Sequence, residues 1–233
     1  MNKLIYEGKA KQIYSTEDPD IYLQKFKDDA TAFNGLKKDK ISHKGEMNNL
    51  ISSVIFEYLI SENIPTHFIK KISDDEMLVK KVDIIKVEVV CRNLAAGSLV
   101  KKFGFEEGKE LKHPIIEYYL KSDELGDPLF TEDHIFEMGL ANKSELDVIR
   151  KMALCINDLL IKFFREKKIR LVDFKLEFGK DKNNNIILAD EISPDTCRLW
   201  DIETNKKMDK DRFRFDLGGV EEAYQEIKNR VAG

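Results

Sequence analysis

The chain has 233 residues, 35% charged and 42% hydrophobic, with a formal net charge of −4; this suits one large or two small globular domains and lacks the strongly basic stripe of a nucleic-acid binder. Three cysteines, Cys91, Cys155 and Cys197, odd in number and without CxxC spacing, argue against a disulfide framework or a zinc site and fit a reducing cytosol. The charged start MNKLIYEGKAK is no signal peptide, and no apolar run nears the ~18–20 residues of a membrane helix, so a cytoplasmic protein without a membrane partner is expected.

Short runs LIYEG, KQIYST and IYLQKFK, with a turn at Asp18-Pro19-Asp20, predict antiparallel strands. Between the first two, Gly8 is followed by Lys9, Ala10 and Lys11. A glycine lets backbone approach a phosphate and lysines add point charges, although an exposed basic hairpin is the commoner use of such a turn. Residues 28–49, DDATAFNGLKKDKISHKGEMNN, are rich in polar and turn residues. They read as a long loop, either simply solvated or a mobile basic flap carrying Lys37, Lys38, Lys40 and Lys44.

Met47, Leu50, Ile51, Val54, Ile55, Tyr58 and Leu59 then recur at helical spacing, and the helix should stop before Pro65. MLVKKVDIIKVEVVCRN predicts two strands bridging the halves of the molecule. RNLAAGS, residues 92–98, joins the second to a short helix, SLVKKFG. Arg92 offers a two-pronged donor, and Gly97 and Ser98 can present N–H and hydroxyl groups, which suits a phosphate or carboxylate. A plain strand-to-helix turn is the alternative.

A second long helix is expected from Ser144 as N-cap, backed by Asp147. Leu146, Ile149, Met152, Ala153, Ile156, Leu159, Leu160, Phe163 and Phe164 form its buried stripe. Both stripes are core positions. His43, His67, His113 and His134 do not cluster, so a histidine mechanism has no support, and Cys197 reads as a small buried filler.

The densest chemistry lies in LVDFKLEFGKDKNNNIILADEISPDTCRLWD, residues 171–201. Val172, Phe174, Leu176 and Phe178 alternate with Asp173, Lys175 and Glu177, placing an acid–base–acid face on one strand. The Asn183-Asn184-Asn185 turn predicts a hairpin. Centred on Asn183-Asn184, it sets Glu177 opposite Asp190, two carboxylates that repel unless a cation lies between them. Mg²⁺ commonly uses one or two carboxylates plus substrate phosphates. A solvated mixed-charge face is the other reading, and a one-residue slip would move Asp190 to the other side. Glu191, Asp195 and Arg198 follow closely, past a proline that ends regular pairing. With β-rich, helical and mixed stretches in turn, the fold class is α+β.

YEGKAKQIY, RNLAAGS and SPDTCR, in that order, resemble the SAICAR synthetase family of purine biosynthesis over essentially the whole chain. The resemblance implies a two-lobed fold with nucleotide in the cleft, as in kinases and ATP-grasp enzymes. Residues 1–82 would form a β-rich nucleotide lobe and 83–233 a lobe with the metal and ribotide site. The implied reaction condenses carboxyaminoimidazole ribotide (CAIR) with L-aspartate to SAICAR, ADP and phosphate through an acyl phosphate.

The same resemblance assigns Lys9, Ala10, Lys11, Lys80, Val82, Lys121, Glu177 and Asp190 to ATP, with Glu177 and Asp190 holding Mg²⁺. Arg92, Ser98, Asp173, Lys175, Asp195 and Arg198 fall to the ribotide, with Lys175 and Asp173 the catalytic candidates. A homodimer is expected from the bacterial relatives. Phe215 departs from the family pattern, standing where an arginine is usual. The alternatives are a small-molecule kinase in the same cleft or a non-catalytic nucleotide sensor. VDFK resembles a kinase metal motif, but its glycine and an HRD-type loop are missing. Neither GxxxxGK[ST] nor GxGxxG occurs.

Overall fold

A computed structural model describes residues 2–32 and 36–233. The order is β1 (Leu4–Glu7), β2 (Lys11–Ser15), β3 (Ile21–Phe26), β4 (Asp29–Ala32), β5 (Lys37–Lys40), α1 (Lys44–Ser61), β6 (Phe68–Lys71), β7 (Glu76–Lys80) and β8 (Asp83–Leu94). It continues with α2 (Ser98–Phe103), β9 (Glu110–Leu120), β10 (Leu129–Phe130), α3 (Glu132–Glu137), α4 (Lys143–Glu166), β11 (Ile169–Lys180), β12 (Ile186–Ala189), β13 (Cys197–Asp201), α5 (Asp211–Arg214) and α6 (Val220–Ala232). The architecture is α+β, as the sequence predicts.

Two antiparallel sheets carry the molecule. One runs β1-β2-β3-β7-β6; the other runs β10-β9-β8-β11-β12, with β13 also paired to β11. β11 is therefore central, flanked by β8 on one edge and by β13 then β12 on the other. Its two faces have different coverings. Phe174, Leu176 and Phe178 are at most 1% exposed and join a core that includes Ile149, Ala153, Ile156 and Leu160 of α4. The opposite face carries Asp173, Lys175 and Glu177 toward a cleft. That core continues through Ile51, Ile55 and Leu59 of α1 to Met77 and Val79 of β7, so both sheets share it.

Local chemistry sets the helix ends. Helix α1 stops as expected before Pro65: Asn63 takes φ 64° and the Ile64 N–H bonds the Leu59 carbonyl at 2.9 Å, satisfying an orphan acceptor of the last turn. Helix α4 begins two residues earlier than predicted. Asn142, not Ser144, is its N-cap: its Oδ1 accepts the Glu145 N–H at 3.0 Å while Glu145 Oε2 accepts the Asn142 N–H at 2.9 Å. This reciprocal pair satisfies two donors that a Ser144 cap would leave exposed.

Residues 28–49 are also not a loop. They hold the β4–β5 hairpin and the first turns of α1, the ladder running from Asp29↔Lys40 to Ala32↔Lys37. Lys44, assigned to a basic flap, is fully buried. Residues 33–35 of that stretch lie outside the described residues.

Candidate active site

The cleft is organised by the β8–β11 register, in which Arg92 pairs with Asp173, Val90 with Lys175 and Glu88 with Glu177. Period two puts Asp173, Lys175 and Glu177 on one face. Glu88 and Glu177 stand directly opposite each other, an arrangement that destabilises a ladder unless compensated. Lys175 compensates it, with Nζ 2.6 Å from Glu88 Oε1 and 2.9 Å from Glu177 Oε1. Lys121 adds a second ammonium at 2.6 and 2.5 Å from the two Glu177 oxygens. Burial pulls the Lys175 pKa down, but the carboxylates of Glu177, Glu88 and Asp190 outweigh it and hold it well above an ordinary lysine. Lys175 is thus a fixed positive charge at neutral pH.

The predicted facing of Glu177 and Asp190 is corrected. Glu177 pairs with Ala189, because the turn spans the five residues 181–185, closed by the Asp181 N–H on the Asn185 carbonyl at 3.0 Å. Strand β12 ends at Ala189, and Asp190 turns out of it at φ 64°. Its carboxylate still lines the cavity, paired with Lys11. Lys11 also lies 3.1 Å from Glu191 Oε1. Burial raises the Asp190 pKa, but Lys11, Lys175 and Lys121 together push it well below the usual carboxylate range.

Toward the other end, charges alternate along a chain of ion pairs. Arg92 Nε meets Glu117 Oε2 at 2.7 Å and Arg92 Nη1 meets Asp173 Oδ2 at 2.7 Å. The same Asp173 oxygen accepts Arg198 Nη1 at 2.8 Å. Arg198 Nε reaches Asp211 Oδ2 at 2.8 Å, and Asp211 Oδ1 reaches Arg214 Nη1 at 2.6 Å. Arg92 Nη2 donates to Ser98 Oγ at 2.7 Å. Buried guanidinium groups need such partners, and removing one partner of a buried pair typically costs about 3–5 kcal/mol. Gly97, at φ 54°, lies against this array: a Cβ there would fall 2.6 Å from Arg198 Nη2.

A third group converges on Asp195, 3% exposed in its side chain. The Lys44 ammonium is 2.6 Å from Oδ2, Tyr224 donates its hydroxyl to Oδ1 at 2.7 Å, and Lys210 Nζ is 3.8 Å from Oδ1. The Lys44 contact is an ion pair without hydrogen-bond alignment, since Oδ2 has no aligned donor among the described residues.

One cavity of about 910 Å³ runs past all three groups, with Lys44, Glu117, Asp211 and Tyr224 standing behind its lining residues. It is lined by Lys9, Ala10, Lys11, Lys80 and Val82 from the β1–β7 sheet and the strand junction, and by Lys121, Glu177 and Asp190 beyond them. Arg92, Ser98, Asp173, Lys175, Asp195 and Arg198 line its other end. The structure thus gathers every residue that the resemblance assigns to ATP, metal or ribotide, whereas Lys37, Lys38, Lys40 and Lys44 of the expected flap do not line the cavity. Lys9 is the most peripheral, pairing with Asp123 at 2.6 Å, and Lys80 donates to the Thr66 carbonyl at 3.1 Å.

Sequence reasoning missed Glu88, Glu117, Lys210, Asp211 and Tyr224, and it placed Lys44 on a basic flap rather than in the buried cluster at Asp195. Glu88 and Glu117 carried a usable signal, since each is a lone acid inside an apolar strand run, VEVV and IIEYY. Phe215 is 40% exposed and sits under Lys101 and Lys207, with the ammonium groups 5.2 and 5.7 Å from its ring centre. Among the described residues no group of three or more His, Cys, Asp or Glu side chains is placed to hold a metal unaided. Glu177 and Asp190 nonetheless offer hard oxygen donors beside each other's lysine partners, which fits a cation that brings phosphate oxygens as its remaining ligands.

Comparison with known proteins agrees over the whole chain. The family described as SAICAR synthetase matches residues 4–231. A phosphoribosylaminoimidazole-succinocarboxamide synthase of Pelodictyon phaeoclathratiforme is 60% identical over 227 residues, covering 97% of this chain and 96% of the relative. Among solved structures, the same enzyme from Ehrlichia chaffeensis superposes with a TM-score of 0.97 at 50% identity, covering 99% and 98% of the two chains. A SAICAR synthetase in complex with ADP gives 0.95 at 48% identity, covering 98% and 97%.

Proposed function

The chain belongs to the SAICAR synthetase family, and from that premise we propose how its cleft divides the work. The protein is an ATP-dependent ligase of purine biosynthesis, joining CAIR to L-aspartate with formation of SAICAR, ADP and phosphate. The observation that carries the division is the place of Lys175 on the central strand, its ammonium held by Glu88 and Glu177. The nucleotide-side lysines lie to one side of it and the arginine–serine pocket to the other.

A carboxylate does not condense directly with an amine, because oxide is too poor a leaving group. The γ-phosphoryl group therefore passes to a CAIR carboxylate oxygen as ADP leaves, giving an acyl phosphate. The amine of aspartate then attacks the acyl carbon and phosphate departs. In this reading Arg92, Ser98 and Arg198 bind the ribotide phosphate by charge-assisted hydrogen bonds. Asp173 acts through them, since one of its oxygens fixes both guanidinium groups. Lys175 is too basic to take a proton at neutral pH; it stabilises charge developing on the transferring phosphoryl group and the acyl oxygen. Lys9, Ala10 and Lys11 close over the ATP phosphates, Lys80 and Val82 present backbone to the adenine at the junction, and Lys121 approaches the ribose.

Glu177 and Asp190 would hold Mg²⁺, which when bound neutralises phosphate charge. Residues 1–82 form the nucleotide lobe and 83–233 the lobe with the metal and ribotide site. A cytoplasmic homodimer completes the reading; no helix of the described residues is long and apolar enough to cross a membrane.

The test is ADP release by purified protein with Mg²⁺, ATP, CAIR and L-aspartate, each omitted in turn. ADP formed only with the full set, with a succinocarboxamide product by mass, is expected. ADP formed without aspartate and with phosphate kept on an acceptor would mean a kinase, and ATP binding without turnover a sensor.

A further inference from the structure

Lys210 stands out among the cations of the cleft. Lys11, Lys121 and Lys175 and the three arginines Arg92, Arg198 and Arg214 each have a carboxylate within hydrogen-bond distance. Lys210 lines the same cavity with only 13% of its side chain exposed. Among the described residues its ammonium has no hydrogen-bond acceptor; the nearest carboxylate oxygen, on Asp195, is 3.8 Å away. A withdrawn ammonium whose one ion pair is too long for a hydrogen bond is costly unless a ligand supplies an acceptor. Arg214, one helical turn on, spends only Nη1 on Asp211, leaving the other edge of its guanidinium free among the described residues. Two cations with unused donors so close together make a subsite for an anion.

Its position narrows the choice of anion. The Lys175 N–H bonds the carbonyl of Thr196, the residue after Asp195, at 2.9 Å, so this subsite flanks the strand position where the substrate carboxylate is activated. The Arg92–Ser98–Arg198 pocket lies on the far side of Asp211, which clasps both Arg198 and Arg214. Resting on the family reading above, we propose that Lys210, with the free edge of Arg214, binds a carboxylate of the amino-acid co-substrate and so sets its amine against the acyl phosphate. Burial, together with Arg214 and Lys44, lowers the Lys210 pKa against the pull of Asp195, as expected of a cation awaiting a counter-charge.

The alternative source of the anion is the ribotide phosphate, and steady-state kinetics separate the two. Lys210→Met should raise the KM for L-aspartate at least tenfold while the KM values for CAIR and ATP stay within twofold. Lys210→Arg should recover most of the loss. Succinate, which has the carboxylates but no amine, should compete with aspartate in the wild type and lose potency in parallel in Lys210→Met. A rise confined to the CAIR KM would overturn the proposal, as would an unchanged aspartate KM. If Lys210→Met proves unstable, Lys210→Gln decides: weaker succinate inhibition with a raised aspartate KM supports the subsite, and unchanged aspartate and succinate constants, or a rise confined to the CAIR KM, refute it. Failure of the family reading itself would show differently, as wild-type protein with no aspartate-dependent turnover at all.

Discussion

Replacing Gly97 by alanine tests whether the arginine array is rigid. Gly97 has φ 54° and ψ −116°, a conformation costing a non-glycine residue about 1–3 kcal/mol. The added Cβ would lie 2.6 Å from Arg198 Nη2, 2.9 Å from Cζ and 3.0 Å from Nη1. A flexible side chain ordinarily swings away from such a contact. Arg198 cannot, because Nη1 is held by Asp173 and Nε by Asp211, each at 2.8 Å. Retreat means loosening at least one hydrogen bond between charged groups, worth about 1.5–3 kcal/mol. Taking the middle of both ranges and partial relaxation, Gly97→Ala should lose about 3 kcal/mol of stability. For a chain of this size that is a fall in thermal midpoint of roughly 6–12 °C. The CAIR KM should rise by about tenfold or more, the equivalent of ~1.4 kcal/mol of binding, with the ATP KM unchanged. Gly104→Ala is the control: its φ is 70° but nothing lies within 4 Å of the new Cβ, so it carries backbone strain of about 1–2 kcal/mol and no CAIR effect. Calorimetry and initial rates on both variants suffice. A Gly97→Ala protein matching Gly104→Ala in both readouts would refute the rigid array.

Three further expectations follow from the same geometry. Glu177→Gln and Asp190→Asn should each abolish Mg²⁺-dependent ADP formation while circular dichroism shows a folded chain, and full activity in either would refute that residue as a proposed metal ligand. Gly179→Ala should act on the nucleotide rather than the ribotide, because its Cβ would fall 2.8 Å from the Val82 Cβ and Cγ2 atoms and 3.2 Å from the Asp83 carbonyl; a raised ATP KM with CAIR unaffected is expected, and the reverse would argue against Val82 as the adenine junction. The aspartate KM should climb with rising pH earlier than an ordinary lysine would dictate, because the Lys210 ammonium, facing Asp195, Glu191, Lys44 and Arg214, has a lowered pKa and loses its charge sooner; a KM flat across the alkaline range, or a climb that persists in Lys210→Arg, would count against the assignment.

What could be read from the sequence follows the range of the interactions. Strand and helix positions were legible because period two and period 3.6 are local properties of the chain, and β11 shows both faces of that pattern: Phe174 in the core, Lys175 in the cleft. Register was not, since it depends on how many residues a turn absorbs. The Asn-rich turn takes five, 181–185, with Asp181 Oδ1 accepting the N–H groups of Asn183 and Asn185 at 2.8 and 2.9 Å. That one-residue difference in register sets Glu177 opposite Ala189 instead of Asp190, while the acid that does face Glu177 is Glu88 on the other neighbouring strand.

Lys44 was hidden for a different reason. In a stretch with Lys37, Lys38 and Lys40 it looks solvated, and only the arrival of Asp195 from about 150 residues away makes its burial affordable in physical terms. Asp195 in turn draws on Tyr224 from α6 and stands beside Lys210 ahead of α5. One acid thus ties the start of α1 and the C-terminal helix to the carboxylate end of the cleft. The consequence is that substitutions in α6, far from any substrate, should register as changes at Asp195 before they register in the nucleotide pocket, since the lysines around Glu177 and Asp190 draw their partners from other strands.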